Sequence, residues 1–209
     1  ISIVKNVEIC SVIRKCIILH QLMIPIKNKK KNLEATVEEM RNFAFAYIEK
    51  YAPSKQQLKT YLLKKYLKTK IPSVNKSNIS DLINVVLEDL EKTKFINDKF
   101  YSNSKAKSLI QRGSSINKIR SYLFSKGVSD KYIKTTLDEI KSNNEDQDFF
   151  SAIKICKKKR IGPSREEPNR PLFYKKDLGV LARSGFDFEV SRRVMELDKD
   201  EYLKIINLL

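Results

Sequence analysis

Two stretches decide the fold: Tyr122-Leu123-Phe124-Ser125-Lys126-Gly127-Val128 and Val180-Leu181-Ala182-Arg183-Ser184-Gly185-Phe186. Laid over one another, each carries an apolar pair, a basic residue near its end, a glycine, and an apolar residue directly after that glycine. Such an order is the end of an amphipathic helix, because glycine takes the left-handed C-cap conformation and the next apolar residue folds back onto the last turn. Each stretch continues into another short helix. Tyr61-Leu62-Leu63-Lys64-Lys65-Tyr66 fits the same frame, with Tyr66 where the glycine would stand, so that helix is expected to run on.

Working outward, apolar residues recur at helical spacing from Val37: Met40, Phe43, Ala44, Tyr47, Ile48 and Tyr51 form one stripe, and Pro53 ends it. Ser54-Lys-Gln-Gln57 is a capping box for a second helix that turns Leu58, Tyr61, Leu62 and Tyr66 inward. A turn region over Pro72–Asn78 leads to a third, with Ile79, Leu82, Ile83, Val86, Leu87 and Leu90 on its apolar face. The pattern restarts at Asn97, an N-cap followed by Asp98 in the first turn, with Ile96 and Tyr101 spaced as a hydrophobic staple. That helix stops at Gly113. Ile116, Ile119, Tyr122 and Leu123 line the next, which ends at Gly127, and Ser129 caps a helix burying Ile133, Leu137 and Ile140. A third cycle opens on the capping-box arrangement Asn144-Glu-Asp-Gln147 and continues through Phe149, Phe150, Ile153 and Cys156 into the basic run Lys157–Arg160. Ile161–Pro171, with three prolines, reads as a loop. Leu178 and Leu181 lie in a helix ending at Gly185, Val190 and Val194 in the next, and Asp198-Lys-Asp-Glu201 caps a C-terminal helix.

The expected fold is therefore all-α: an elongated, curved array of three tandem three-helix repeats with a period of about 55 to 60 residues, each unit burying a face against its neighbour. Its divisions are a variable N-terminal extension over 1–36, a first repeat over 37–95, a second over 96–143, and a third over 144–209 that includes a basic loop and the C-terminal helix.

The 209 residues carry a net charge of +17, which favours a polyanionic partner such as nucleic acid. Much of the excess is lysine, which also populates ordinary solvated surface. Catalytic equipment is scarce. His20 is the only histidine, and Cys10, Cys16 and Cys156 make no CxxC pair, so neither a two-histidine zinc site nor a disulfide framework can be assembled. The five glycines lack the spacing of a phosphate-cradling loop. No cofactor, metal or catalytic residue is expected. The apolar segment Cys16–Ile26 is too short to span a bilayer and lacks a small-residue cleavage site, so no membrane and a reducing cytoplasm are the expectation. The chain starts at Ile1 and its first Met is Met23, so residues 1–22 read as a truncated extension or upstream translated sequence.

In their order and spacing, the Ser54…Leu58…Leu62 unit, Phe95-Ile-Asn-Asp98-Lys-Phe-Tyr101, Gly113, Leu123…Lys126-Gly127-Val128 and Leu181…Arg183-Ser184-Gly185-Phe186 resemble the RecX family, small regulators of the RecA recombinase, over residues 37–197. The resemblance implies a curved body lying in the groove of a RecA filament on single-stranded DNA. It also implies damping of RecA's ATP hydrolysis, strand exchange and promotion of repressor self-cleavage, as part of DNA repair, recombination and the SOS response. Two positions depart from the family pattern. Ser184 replaces a basic residue that commonly precedes the glycine, which puts a side-chain contact there in doubt, and Tyr66 replaces a glycine, which moves the end of that helix.

The candidate RecA- or DNA-binding residues are Arg112, Lys118, Arg120 and Lys126 around the second repeat's central helix, and Lys175, Lys176, Arg183, Arg192 and Arg193 in the third. Cations recurring at the structural period can follow a repeating polymer; arginine pairs bidentately with phosphate or carboxylate, lysine less directionally. Tyr61, Tyr122, Phe100 and Phe186 are expected to pack the core, with base stacking the lesser alternative. A free-standing basic nucleic-acid-binding protein independent of RecA is the competing reading. A metal-dependent nuclease using Asp81, Glu88 and Asp98 is a third, weakened because Asp98 has no partner at ligand spacing. A monomer is expected, since the repeats can bury one another.

Overall fold

Thr36 caps the first described helix. Its hydroxyl accepts the Glu39 N–H, and Glu38 and Glu39 place negative charge on the first turn of helix α1, Val37–Tyr51. This computed structural model describes residues 33–68 and 76–209, of which Glu34–Leu209 form one compact unit. After α1 come α2 (Lys55–Lys68), α3 (Lys76–Lys92), α4 (Asp98–Gln111), α5 (Ile116–Ser125), α6 (Asp130–Asn143), α7 (Gln147–Lys159), α8 (Arg170–Arg183), α9 (Phe188–Met195) and α10 (Lys199–Leu208). The described residues contain no strand and form an all-helical body.

The helices pack in groups that follow the chain: α1, α2 and α3 against one another, then α4, α5 and α6, then α7 with α8, α9 and α10. Tyr101, Ala106, Ile119, Leu123, Val128, Ile133 and Leu137 make the core of the middle group, while Ile153, Cys156, Leu181, Val194 and Tyr202 are among those filling the last. In the first, Met40, Leu58, Leu62, Ile83 and Leu90 are fully or almost fully buried. The basis is the i, i+4 apolar spacing already visible in each helix. Tyr66 occupies the first group's core, with its hydroxyl donating to Glu39 at 3.2 Å, and α2 does run past it.

Local caps match their sequence signatures where the partner is a near neighbour. Ser54 and Gln57 bond reciprocally, Asn97 accepts the Phe100 N–H and Asp198 the Glu201 N–H. Four expectations need correcting. The proposed box at Asn144 is an Asx turn: its side chain accepts the Asp146 N–H, and the helix starts at Gln147 instead, with Asp146 in the cap position. Ser129 occupies the cap position of α6 without a side-chain cap bond. Phe100 is 74% exposed, because the core stripe takes its neighbour Tyr101 and the helical rotation of about 100° per residue carries Phe100 off it. The segment Ile161–Pro171 is two 3-10 turns, Gly162–Ser164 and Glu167–Asn169, each with proline in its first positions, followed by the start of α8. The turn expected over Pro72–Asn78 lies outside the described residues up to position 75, and α3 is helical from Lys76. Cys10, Cys16, His20 and the N-terminal extension also lie outside them, up to position 32. No helix among the described residues is long and apolar enough to cross a membrane.

Candidate filament and nucleic-acid interface

One arrangement of hydrogen bonds occurs twice and joins the central helices of successive groups. Where α2 begins, the Ser54 hydroxyl donates to the Lys126 carbonyl at 2.6 Å while accepting the Gln57 N–H, and the Lys55 N–H donates to Asp98 Oδ1 at 2.8 Å. Where α5 begins, the Ser115 hydroxyl donates to the Ser184 carbonyl at 2.9 Å while accepting the Lys118 N–H, and the Ile116 N–H donates to Asp148 Oδ1 at 2.8 Å. The N-terminus of α2 thus rests on the C-cap of α5, and the N-terminus of α5 on the C-cap of α8. Orphan donors at two helix starts and orphan acceptors at two helix ends satisfy one another.

The glycines let the backbones come this close. Gly127 and Gly185 have φ of +71° and +91°, and a β-carbon there would lie 2.4 Å from Gln56 Cβ and 2.5 Å from Ser115 Oγ respectively. Ser184, where the family pattern has a basic residue, contributes its carbonyl to the junction, as Lys126 does at the equivalent place. Burial pushes the carboxyls of Asp98 and Asp148 above the ordinary range, opposed in each by the backbone N–H it accepts.

The candidate cations are arranged along this row. Lys118 and Arg120 are exposed on α5, Arg112 is exposed at the C-cap of α4, and Lys126 is half-buried at the C-cap of α5 with its ammonium 5.2 Å from the Tyr122 ring. Lys175, Lys176 and Arg183 are exposed on α8, with Lys176 over Phe173 at 5.7 Å. Because Ser115 binds the end of α8, these sets sit on consecutive members of the row. Arg112, Lys118, Arg120, Lys175 and Arg183 form no ion pair among the described residues. Arg192 and Arg193 differ from them. Arg192 pairs with Glu196 at 3.6 Å, whereas Arg193 grips Asp146 with two nitrogens, at 2.6 and 3.3 Å, and lies 4.1 Å over Phe149, tying α9 to the start of α7.

Sequence reasoning missed the groups that set α8 in place. Asp177, 1% exposed, accepts the Gly162 N–H and takes Arg165 bidentately at 2.6 and 2.9 Å. Burial works against its ionisation, but the Arg165 and Gly162 hydrogen bonds outweigh that and hold the carboxyl below the ordinary range. Arg170 donates to the carbonyls of Met195 and Leu197 at 2.8 and 2.6 Å. Three prolines nearby masked the order of this segment. Of the aromatics expected inside, Phe186 is buried, while Tyr61 and Tyr122 are half-buried. Asp81 and Glu88 are exposed, Asp98 is occupied by Lys55, and no group of three His, Cys, Asp or Glu among the described residues is placed to hold a metal.

The sequence is similar to two bacterial proteins of one name. Regulatory protein RecX of Myxococcus xanthus strain DK1622 is 28% identical over 173 residues, covering 81% of this chain and 91% of its own. Regulatory protein RecX of Clostridium perfringens strain SM101 is 26% identical over 147 residues, 70% of this chain and 66% of its own. No family model matches the chain, and no solved structure does. Two relatives thus share that name across most of the chain, which is similar in sequence to the RecX regulatory proteins and has, among its described residues, the all-helical body that the resemblance implied.

Proposed function

We propose that this protein is a non-catalytic modulator of RecA that binds the RecA filament on single-stranded DNA and lowers its ATP hydrolysis, strand exchange and coprotease activity. The observation supporting this most directly is the row α2–α5–α8: a bonding pattern repeated along the molecule, with unpaired cations on two consecutive members. A regular spacing of charge suits a partner that is itself a regular polymer, and a filament carrying DNA offers phosphates and acidic protein surface alike. The protein acts as a monomer in the cytoplasm on this reading.

The test is a titration of RecA's DNA-dependent ATP hydrolysis. Substoichiometric protein lowers the rate if the reading is right, and no effect at equimolar protein overturns it. In the same assay Arg112→Ala, Arg120→Ala and Lys126→Ala combined weaken the inhibition; unchanged inhibition by the folded triple variant moves the interface elsewhere. The alternative, a nucleic-acid-binding protein independent of RecA, is favoured by the net charge of +17. It requires tight binding to DNA alone that falls steeply with salt as phosphate counterions are released. Weak binding that strengthens only with RecA present rejects it.

A further inference from the structure

The three groups of helices meet through their ends. Every pair of helices in extensive contact lies within one group, so the two joints between groups depend on the few residues that cross them. Both joints follow one plan, with Ser54 in register with Ser115 and Asp98 with Asp148, and their supports can be compared place by place.

Two residues before each serine the backbone turns left-handed, at Ala52 with φ of +41° and at Gly113 with φ of +78°. Gly113 is buried: a β-carbon there would stand 3.0 Å from both the Ser151 carbonyl oxygen and Lys154 Cβ, so the end of α4 is seated on α7. Ala52, at the end of α1, is exposed instead. Two residues after each serine the joints differ again. Asn117 donates to the Gly185 carbonyl at 3.2 Å, whereas Gln56 lays its aliphatic stem against Gly127. The second joint is therefore held at several separated points.

At the first joint the Ser54–Lys126 and Lys55–Asp98 bonds stand on consecutive residues. Two bonds so close together act as a pivot, because a small rotation about them stretches neither. The Lys55–Glu91 ion pair joins α2 to α3 inside the first group and does not span the joint. Beside the pivot lies a cavity of about 420 Å³, with Gln56, Lys59, Asn84 and Glu88 of the first group on one side and Ser129 and Tyr132 of the second on the other. Close packing resists displacement because it leaves atoms no room, and a void removes that resistance in one direction.

We propose that the first joint is a hinge: the group α1–α3 swings about the start of α2, narrowing and widening the cavity, while α4–α10 keep their arrangement. On the reading above, a row of cations that bends at one place fits a range of polymer spacings, whereas a stiff row fits one. The bending itself belongs to the chain alone and is measured without RecA. The test is double electron–electron resonance on the full chain, with Cys10→Ser, Cys16→Ser and Cys156→Ala as background. Spin labels are carried by Lys64→Cys with Asp138→Cys across the first joint, and by Asp138→Cys with Lys204→Cys across the second; all three sites are exposed. The distance distribution across the first joint is expected to be at least about twice as broad as that across the second. Ser129→Trp, which puts a large side chain at the cavity, narrows the first distribution and leaves the second unchanged. Asn84→Phe does the same from the opposite wall, and circular dichroism checks that each variant is folded. Equal widths in the parent, or a broader distribution across the second joint, overturn the hinge whatever the variants do. It is overturned equally if a folded cavity-filling variant leaves the first distribution as broad as before.

Discussion

The two junctions use the same four-part chemistry yet sit in different surroundings. At the first, Asp98 and Gly127 line a cavity of about 420 Å³ together with Lys55, Lys59, Glu88, Glu91 and Tyr132, and Lys55 pairs with Glu91 at 2.6 Å. At the second, Ser115, Asp148, Ser184 and Gly185 are closed in: Asn117 adds a bond to the Gly185 carbonyl at 3.2 Å, and Lys159 reaches the Ser184 hydroxyl at 3.4 Å. The first borders a cavity, and the second carries two further hydrogen bonds. Substitutions at equivalent positions should therefore be felt more strongly at the second.

The largest effect is expected where the second junction has support that the first lacks. Arg165→Ala leaves the buried Asp177 carboxylate with only the Gly162 N–H, and such a break in a buried ion pair costs about 3–5 kcal/mol. Urea denaturation should register it together with loosening of α8. The pair also sets an acid limit. Asp177 ionises more readily folded than unfolded, so its contribution is present above the unfolded carboxyl value, near 3.9, and is lost as pH falls through the lower folded one. Asp177→Asn should flatten that acid limb.

Next come the glycines. Gly127→Ala and Gly185→Ala each force an unfavourable φ and a close contact, together costing about 2–4 kcal/mol by denaturant melts, with Gly185→Ala the larger since it strikes the hydroxyl that makes the junction. Gly179→Ala, inside α8 and meeting only the far end of Arg183, is the control, neutral or stabilising by up to about 1 kcal/mol. Equal losses at all three positions would break the comparison. Smaller still, Ser54→Ala and Ser115→Ala each remove a cap and a long-range bond, about 1–2 kcal/mol in thermal melts, with Ser115 at the upper end. Least of all, Asp98→Asn and Asp148→Asn keep an acceptor for the backbone N–H and shed the cost of a half-buried charge, so stability changes by less than about 0.5 kcal/mol at neutral pH. Because the folded carboxyls are raised, the wild-type residues contribute most below the unfolded value and lose that contribution as pH rises through the folded one; any gain from Asn therefore disappears in acid.

What could be read from sequence divides by range. Ser54 with Gln57, Asn97, Asp198 and the left-handed glycines were legible because each bonding partner lies within a few residues or within the backbone itself. The other half of Ser54's bonding, to a carbonyl 72 residues away, was not, since a serine that caps and a serine that also docks look alike in a string of letters. The same holds for the cations. Arg183 and Arg193 are indistinguishable by type and spacing, and only the fold reveals that Arg193 already holds Asp146. The tyrosines follow the helical stripe of a core, and their half-exposure depends on how two groups meet.

At the third start of the row the bonding changes. Asn169 makes no side-chain cap, and Arg170 turns back to the carbonyls of Met195 and Leu197 in its own group. The serine-to-carbonyl pattern is therefore not repeated at the start of α8. A copy of the middle group inserted between the first and the last would find a serine and a carbonyl waiting on either side and lengthen the protein by one increment. A copy appended after α10 would find the docking position already closed.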